Sequence, residues 1–575
     1  MLAVCLSILF RSCGHNMEPL KTHILIAGGG SVGLSLAAEL GWRGAECLMV
    51  EPRLTPNPHP RANAVANRTM EYFRRWGVDD RLIGAGVPAE FSASYFWVSS
   101  LHGREIHRLV LPGHAELERI RANSAVDPTS ELHWSPYLKT IVGQHEVERV
   151  LRAHVETLPS VQTRYGWQLR RFEERDDDVL AELVSQDGQT MTVQASWLVG
   201  CDGGRSVVRE QLGIGLSGRG NLARFVSIYF KAPEFMQCHG FGPANIFFPL
   251  HVKHRGFLLN WDTGITWTYH LILDEGVDWT TVDPRQAIES LLGCQTPLEV
   301  ISVQPWTAHA LTADRYQSTR GRVLLAGDAA HLFTPTGGLG MNTGVSDAID
   351  LAWKLQANIE GWAGPHLLRS YEAERRPIGR RNTAEAADNF DRLYAVMQHG
   401  DALDAEDELA NQLRAQLKAE LQTQVKLLKS SGVLLGYRYE HSPICVPDGT
   451  VEPADDPQVY VPVARPGHRA PHVWIRQEDG SMCSLLDLLG PWFTLICFDG
   501  VAEDALCLQQ AARACGLPLY LLPIEKPDIK ALYGDCAHVL VRPDMMVAWR
   551  GQGIAQPQDL LNVVRGQVDW AAPSP

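Results

Sequence analysis

The chain has 575 residues, a formal net charge of −14, 45% hydrophobic residues and 21% charged residues. This length is too great for one hydrophobic core and predicts about two to four domains. The acidic balance, with no concentrated stretch of lysine and arginine, argues against nucleic acid as a partner. No membrane partner is expected either, because the sequence lacks the run of about 18 apolar residues that a spanning helix requires.

The twelve cysteines are scattered along the chain, and none forms a CxxC pair or a His/Cys cluster at zinc spacing. This pattern favours a reduced, cytoplasmic protein with buried thiols, without a metal site or a disulfide framework.

The first ten residues, MLAVCLSILF, are apolar but have no basic segment before them and are followed by Arg11. They therefore do not resemble a cleaved secretory signal. A second methionine, Met17, stands just before the first predicted strand. We expect residues 1–16 to be an upstream extension within a disordered segment 1–20, with a weak membrane anchor as the alternative.

The first strong motif follows an apolar run, His23–Ala27, that suits a buried parallel strand. Gly28, Gly30 and Gly33 then form a GxGxxG pattern before a helical segment, and a second strand ends at Glu51. The glycines would allow a tight turn and close approach of a pyrophosphate to a helix N-terminus, while the carboxylate would bind a ribose. The segment predicts a dinucleotide-binding unit of the Rossmann type.

A second GxGxxG pattern occurs at residues 213–218, but it follows the predicted helix Ser206–Leu212 instead of a strand. No helical segment begins after it. We therefore predict a loop there, without a nucleotide.

Two further motifs place an aspartate at a predicted strand end. The strand Trp197–Gly200 leads into CDGGRSVVR with Asp202, and the strand Arg322–Ala326 leads into GDAAH with Asp328 and then PTGGLGMN at residues 335–342. Open α/β folds bind their ligands at such strand ends. Together with the first motif, these stretches resemble the class A flavin-dependent aromatic hydroxylases, the group that includes para-hydroxybenzoate and phenol hydroxylases.

The resemblance implies a role for individual residues. Asp328 would bind the ribityl chain of FAD, and Asp202 would serve both FAD and NAD(P)H. Gly340, Met341 and Asn342 would form the loop whose backbone N–H groups meet the flavin pyrimidine edge, just before a helix predicted at Thr343–Leu355. The complete set of predicted cofactor-binding residues is Gly28, Gly30, Ser31, Val32, Gly33, Glu51, Arg53, Arg61, Gln144, Asp202, Asp328, Gly340, Met341 and Asn342.

The resemblance also implies an α/β fold with a Rossmann-type FAD-binding domain, an inserted antiparallel β layer and a C-terminal thioredoxin-like α/β domain. The predicted boundaries are 21–220 with 311–400 for FAD, 221–310 for the substrate layer, 401–440 for a helical connector, 441–472 for a proline-rich linker and 473–575 for the last domain. Without CxxC, that domain is not expected to exchange disulfides. A structural or homodimer-related role is favoured.

The implied activity is a monooxygenase reaction. FAD reduced by NADPH or NADH would react with O2 to a C4a-hydroperoxide, which would hydroxylate a small phenolic or polycyclic aromatic substrate. No second complete Rossmann unit is present, so the nicotinamide would bind only transiently. The alternatives are a Baeyer–Villiger or epoxidising reaction on the same fold, a flavin dehydrogenase without oxygen insertion, and a non-catalytic flavin-binding protein.

Two residues are predicted to act near the reacting atoms, Pro335 beside the flavin edge and His331. The acidic residue that phenol hydroxylases use to deprotonate phenol is replaced by Asn63, which makes simple phenol a doubtful substrate. His331, His270 and Tyr269 could supply a base, although a structural role is favoured for each. The aromatic residues of the β layer are expected to be mostly core, with a few lining the pocket.

Overall fold

The computed structural model describes residues 18–124, 127, 130–423 and 430–568. The predicted extension 1–16 lies outside these ranges, and Leu20 already belongs to the first strand. The strands in the described residues are β1 (Leu20–Ala27), β2 (Cys47–Glu51), β3 (Ala64–Val65), β4 (Tyr95–Val98), β5 (Glu105–Leu109), β6 (Thr140–Ile141), β7 (Val161–Tyr165), β8 (Trp167–Glu174), β9 (Val179–Ser185), β10 (Thr190–Gly200), β11 (Leu216–Lys231), β12 (Ile246–Pro249), β13 (Gly256–Asn260), β14 (Thr266–Leu273), β15 (Glu299–Ala313), β16 (Val323–Leu325), β17 (His331–Leu332), β18 (Trp474–Arg476), β19 (Met482–Ser484), β20 (Phe493–Cys497), β21 (Leu519–Pro523), β22 (His538–Val541) and β23 (Val547–Gly551).

The α-helices in the same residues are α1 (Ser31–Trp42), α2 (Asn67–Arg75), α3 (Asp79–Ala85), α4 (His114–Asn123), α5 (Gln144–Val155), α6 (Val207–Gln211), α7 (Pro284–Leu292), α8 (Leu339–Ile359), α9 (Ser370–Val396), α10 (Glu408–Thr423), α11 (Ser431–Leu434), α12 (Glu503–Ala514), α13 (Pro527–Leu532) and α14 (Pro557–Val564). In this part of the chain, no helix combines the length and the apolar character needed to cross a bilayer.

The first sheet has a parallel core in the order β7-β2-β1-β10, and β16 pairs in parallel with the last residues of β10. The antiparallel strands β9 and β8 continue the sheet from the first half of β10. Because the carboxyl ends of parallel strands share one edge, Gly28, Asp202 and Asp328 follow β1, β10 and β16 at the same edge. The predicted convergence of the three motifs is confirmed.

Burial explains the apolar sequence of β1. Ile24, Leu25 and Ile26 are 0% exposed, as expected for a parallel strand covered on both faces. Helix α1 packs against α8, which brings the first and third motifs together. Gln144, a predicted cofactor-binding residue, is the first residue of α5, and β1 begins three residues before the predicted His23.

The second sheet has the order β17-β15-β11-β14-β13-β12-β4-β5. It is antiparallel except for β12 and β4, which pair in parallel. The sheet extends beyond the predicted layer 221–310, because β11 begins at Leu216 and β4 and β5 join from much earlier in the chain. The loop predicted for residues 213–218 is therefore wrong from Leu216 onward, although no strand–glycine–helix unit forms there.

The C-terminal sheet has the order β21-β20-β22-β23, with β20 and β21 parallel and the other pairs antiparallel. Helix α12 connects β20 to β21, α13 connects β21 to β22, and α14 follows β23. This topology is compatible with the thioredoxin-like arrangement, which stays a prediction.

Residues 441–472, predicted as a linker, contain no helix or strand but are packed into the protein. Ile444, Ala464 and Ala470 are 0% exposed, and Arg469 is 2% exposed. We call this stretch the proline-rich segment. It is an extended part of the core that crosses between domains.

The predicted helical connector 401–440 contains α10 and α11. In α10, Leu417 and Leu421 are buried, while Leu409 is 75% exposed, so one face of this helix packs against the protein.

Candidate active site

The glycines of the first motif are required by close backbone contacts. Gly28 has a φ of +106°, and a Cβ on it would lie 2.4 Å from the carbonyl oxygen of Cys201. A Cβ on Gly33 would lie 1.9 Å from the carbonyl oxygen of Gly28. These distances are far below van der Waals contact, so the β1–α1 turn can approach β10 only with glycine at both positions.

The N-terminus of α1 is open toward the sheet edge. Gly30 is its N-cap, and no side chain accepts a hydrogen bond from the first turn at this position. Ser31 is the first residue of the helix, and Val32 packs against the third motif. A Cβ on Gly327 would lie 2.8 Å from Val32 Cγ2, and a Cβ on Gly344 would lie 2.5 Å from the same atom. Free backbone N–H groups at a helix N-terminus form a phosphate site.

A cavity of about 250 Å³ lies beside this turn. Glu51 accepts a hydrogen bond from the Gly29 backbone N–H at 2.8 Å and from Arg53 Nε at 2.9 Å. The guanidinium of Arg152 lies over the ring of Tyr165. The cavity is lined by Gly29, Leu34, Glu51, Arg53, Thr55, Pro56, Glu148, Arg152 and Tyr165.

This lining suits an adenosine, with a carboxylate for the ribose and a flat aromatic face for the base. Glu51 and Arg53 were predicted from the sequence as cofactor-binding residues, whereas Tyr165 was not. Tyr165 ends β7, which is parallel to β2 and next to it. Recognition of β7 as a strand would have placed Tyr165 at the same ligand-binding edge.

Helix α5 presents two polar side chains to the α1 N-terminus. Gln144 Nε2 donates to Glu148 Oε1 at 2.9 Å. Burial raises the pKa of Glu148, and the hydrogen bond from Gln144 and the charges of Arg53 and Arg61 oppose that shift. Gln144 is therefore bonded to a residue that faces the α1 N-terminus, and Arg61 is near enough for its charge to oppose the rise in the pKa of Glu148.

The two motif aspartates lie on the cleft. Asp202 Oδ2 accepts a hydrogen bond from the Val208 backbone N–H at 3.1 Å. Asp328 is exposed to solvent in the cleft but surrounded by protein, and this enclosure raises its pKa, opposed by the charges of His331 and Arg61. A carboxylate so placed can accept hydrogen bonds from a polyhydroxyl chain lying in the cleft.

The third motif ends in the first turn of a helix. Gly337 and Gly338 have φ values of +83° and +65°, and α8 begins at Leu339. The loop predicted for residues 340–342 is therefore wrong, because these residues are already helical. Contact of their backbone N–H groups with the flavin stays a prediction, and it suits a helix N-terminus, since the first N–H groups of a helix have no partner within it and its dipole favours negative charge.

The side chain of Asn342 is fully engaged within the protein. Its Oδ1 accepts from the Ala66 backbone N–H at 2.9 Å and from Thr69 Oγ1 at 2.7 Å, and its Nδ2 donates to the carbonyls of Ala64 and Gly338. Asn342 thus fixes the N-terminus of α8 against α2. Its expected contact with the flavin can come only from its backbone.

His331 is 0% exposed and belongs to a buried ion network. Its Nε2 lies 2.6 Å from Asp347 Oδ2, and Asp347 Oδ1 accepts from Arg375 Nε at 2.8 Å. Burial raises the pKa of Asp347, but His331 and Arg375 outweigh it, so the net pKa is lowered. The position of His331 does not support the predicted catalytic role. The imidazole instead holds the Asp328 loop against α8.

A second cavity, of about 240 Å³, lies against the second sheet and includes Pro335. This cavity lies between the loop before α8 on one side and helix α9 and the strands of the second sheet on the other. The lining consists of Phe225, Phe257, Ile272, Pro335, Thr336, Phe390, Leu393, Tyr394 and Met397. Of the aromatic residues in the predicted layer 221–310, Phe225 and Phe257 line the cavity, whereas Phe247, Trp267 and Tyr269 are 0% exposed core residues.

Asn63, which replaces the family's acidic residue, donates through Nδ2 to Asn245 Oδ1 at 3.4 Å. Neither amide can take up a proton as a carboxylate would. Among the lining residues of this cavity there is likewise no carboxylate or histidine.

The open α1 N-terminus, the cavity beside Glu51, the aspartates Asp202 and Asp328 and the α8 N-terminus lie along one edge of the parallel sheet. These groups fit FAD. They offer donors for the pyrophosphate, acceptors for the ribose and the ribityl chain, and backbone N–H groups for the pyrimidine edge. Pro335 would then lie between the flavin and the second cavity.

Comparisons with known proteins agree with this geometry. A family model described as an FAD binding domain matches residues 21–386, and one described as the C-terminal part of aromatic-ring hydroxylases matches residues 463–569. The FAD-dependent monooxygenase apdD of Emericella nidulans is 32% identical over 567 residues, covering 94% of this chain and 89% of that protein. Aklavinone 12-hydroxylase RdmE of Streptomyces purpurascens is 31% identical, with coverages of 96% and 100%.

Solved structures are similar over almost the full length. The rebeccamycin biosynthetic enzyme RebC with reduced flavin matches with a TM-score of 0.84 and 34% identity, covering 96% of this chain and 100% of that chain. The flavin-dependent monooxygenase PieE, in complex with FAD and substrate, matches with a TM-score of 0.85 and 30% identity over the same shares. The chain therefore belongs to the family of FAD-dependent aromatic-ring hydroxylases and is a flavoprotein enzyme of the monooxygenase class.

Proposed function

We propose that this enzyme uses NADPH or NADH and O2 to add one oxygen atom to a neutral, polycyclic phenolic substrate held in the cavity beside Pro335. The observation that carries the proposal is the composition of that cavity. Its walls come from the second sheet, the loop before α8 and helix α9, and they are apolar apart from Thr336 and Tyr394.

An apolar wall selects against a charged substrate, because a carboxylate would lose its hydration without gaining a partner. The nearby Arg255 does not change this, since it forms an ion pair with Asp274 and its guanidinium lies over Tyr394 instead of in the cavity. A ring system with hydroxyl or carbonyl groups fits better than a benzoate. Names of relatives agree, as one solved structure is aklavinone-11 hydroxylase in complex with FAD and aklavinone.

Bound FAD, once reduced, supplies the oxygen-transfer chemistry with O2. The protein contributes position and charge. The α8 N-terminus directs its N–H groups and its positive dipole end toward the flavin pyrimidine, which favours negative charge there. The cavity residues exclude water and orient the ring next to Pro335.

The test is an assay of the purified yellow holoenzyme with 4-hydroxybenzoate, 1-naphthol and 1,8-dihydroxyanthraquinone. We expect the two polycyclic phenols to stimulate NADPH or NADH oxidation and to gain one oxygen from ¹⁸O2 by mass spectrometry, while 4-hydroxybenzoate does neither. Stimulated NADPH or NADH oxidation without label in the product would mean that O2 is reduced to H2O2, and it would refute oxygen insertion into these substrates. A preference for the benzoate would refute the proposed substrate class.

A further inference from the structure

Three polar side chains lie together behind the aromatic wall of the second cavity. Ser227 on β11 pairs with His270 on β14, and His270 pairs with Phe257 on β13. Residues that are partners across neighbouring strands project to the same face of a sheet. His270 is therefore a direct neighbour of Phe257, which lines the cavity, and both face it.

The ring contacts confirm this position. The imidazole of His270 stacks on Phe257 with centroids 4.4 Å apart and meets Trp306 edge-on at 5.8 Å. Trp306 in turn stacks on Phe225, another lining residue, with centroids 4.0 Å apart and planes 2° from parallel. The imidazole thus contacts one lining residue, Phe257, directly. It contacts the other, Phe225, through Trp306.

The hydrogen bonds specify which imidazole nitrogen carries the proton. Trp306 Nε1 donates to Ser227 Oγ at 2.8 Å, and an indole N–H can only donate. Among the described residues, His270 Nδ1 is the other partner of the Ser227 hydroxyl, so the hydroxyl proton is hydrogen-bonded when Ser227 donates it to this nitrogen. Burial, followed by the charge of His59, lowers the pKa of His270 to about 3, so the ring is neutral and holds one proton. With Ser227 as the donor to Nδ1, that proton is on Nε2.

The Nε2 atom is buried and has no hydrogen-bond partner in the described residues. A buried donor without a partner costs free energy, so such atoms call for an explanation such as a ligand. Phe257 lines the cavity and covers one face of the imidazole. Nε2 is at the outer end of that ring, on the face of the sheet that the cavity shares, so a molecule bound beside Phe257 can meet its N–H.

We propose that His270 Nε2–H donates a hydrogen bond to an oxygen of the aromatic substrate and thereby selects and orients substrates with a hydroxyl or carbonyl oxygen at that point. The inference rests on the proposed function. The relay runs from Trp306 through Ser227 to His270, and it makes His270 a donor instead of a base. A donor to a phenolate oxygen stabilises the anion, which is the form whose ring carbons are most electron-rich.

Two substitutions test the contributions of His270 Nδ1 and Nε2 separately. In His270→Gln the amide nitrogen occupies nearly the position of Nε2 and keeps a donor there, whereas in His270→Asn the amide reaches only the position of Nδ1. With 1,8-dihydroxyanthraquinone we expect His270→Asn to weaken probe binding and lower kcat/KM about 10-fold to 100-fold, and His270→Gln to stay within about 3-fold of wild type. Bound FAD should be unchanged in both.

The bound probe also reports the charge effect by its colour. We expect the apparent pKa of its hydroxyl in the complex to be higher in His270→Asn than in wild type, because the phenolate loses a donor. Equal kcat/KM and equal probe ionisation in wild type and His270→Asn would overturn the inference while leaving the proposed function intact. If the wild type itself adds no oxygen to any compound of the panel, the proposed function fails instead.

One measurement needs no substrate. In ¹⁵N-histidine NMR spectra of the holoenzyme, the signals absent from His270→Asn belong to His270. We expect them to show a neutral ring protonated at Nε2 at pH 7, with a change of tautomer in Ser227→Ala. An imidazolium, or a proton on Nδ1 in the wild type, would refute the relay and with it the inference.

Discussion

Arg542 of the C-terminal domain is the centre of a buried ion cluster that reaches helix α8. Its Nη1 lies 2.5 Å from Glu374 Oε1, and its Nη2 lies 2.9 Å from Asp350 Oδ1 and 2.7 Å from Asp544 Oδ2. Lys354 completes the cluster at 2.7 Å from Asp350 and 2.6 Å from Glu374. These side chains are at most 3% exposed.

Arg542→Met would leave Lys354 as the cation facing three carboxylates in a dry environment. Burial raises the pKa of Asp350, whereas Arg542 and Lys354 hold that of Glu374 low against the opposing effect of burial. Loss of one member of a buried ion pair costs about 3–5 kcal/mol, and we expect a loss in that range. Adding Glu374→Gln to Arg542→Met removes one surplus negative charge and should restore part of the lost free energy of unfolding. We expect an interaction energy between the two substitutions of about 0.5–3 kcal/mol.

The assay is urea unfolding of the flavin-free protein, followed by tryptophan fluorescence, together with titration of FAD into each variant. We expect a lower midpoint and weaker FAD binding in Arg542→Met, because α8 carries both Asp350 and the N-terminus that faces the flavin. Arg513→Met, on an exposed arginine of α12, is the control and should change stability by less than about 0.5 kcal/mol. An Arg542→Met protein as stable as this control would refute the reasoning.

Four further outcomes follow from the cofactor and substrate cavities. Gly33→Ala should abolish FAD binding because its Cβ would lie 1.9 Å from a carbonyl oxygen, whereas Gly84→Ala, with no atom within 4 Å, should leave the absorbance of bound flavin unchanged. Asp328→Ala should purify without yellow cofactor, and retention of a full complement would refute its assignment. Tyr165→Ala should weaken FAD about 5-fold to 100-fold by loss of a stacking contact of about 1–3 kcal/mol, measured by flavin fluorescence. Met397→Trp should fill the substrate cavity, reducing kcat/KM for 1-naphthol without loss of FAD.

The arrangement of the three motifs at one sheet edge could be predicted from the sequence because each motif is a local pattern. Gly28 and Gly33 are required by contacts within a strand–turn–helix unit, and Asp202 and Asp328 follow directly after apolar strands. Parallel strand ends meet at one edge, so these local patterns could be assembled without knowledge of distant contacts.

The substrate side was less predictable because it depends on distant pairing. Strand β4 pairs in parallel with β12, which follows it about 150 residues later in the chain. No local periodicity in the sequence predicts this pairing. The cavity wall contributed by Phe390, Leu393 and Tyr394 comes from α9, which lies outside the predicted substrate layer 221–310. The burial of His331 could not be predicted for a related reason, since its partners Asp347 and Arg375 lie on α8 and α9, later in the chain.

The proline-rich segment shows the limit of composition as a guide. Its prolines prevent helix and strand formation but do not prevent burial. Arg469, within this segment, forms an ion pair with Glu71 of α2, and Glu71 also binds Arg68 at 2.9 Å. Arg68 donates in turn to the carbonyl of Asp544 at 2.8 Å, which belongs to the last domain.

Asp544 connects the C-terminal domain to two buried networks. Its carbonyl accepts from Arg68 of α2, and its carboxylate pairs with Arg542, whose cluster includes α8. The two networks therefore meet at the turn between β22 and β23. Helix α2 is bonded to the α8 N-terminus by Asn342 and Thr69. The two helices that fix the flavin-facing turn are thus both anchored to the domain that lacks CxxC. A domain in that position acts as a support for the flavin site, and its removal should cost FAD affinity before it costs anything that depends on the substrate cavity alone.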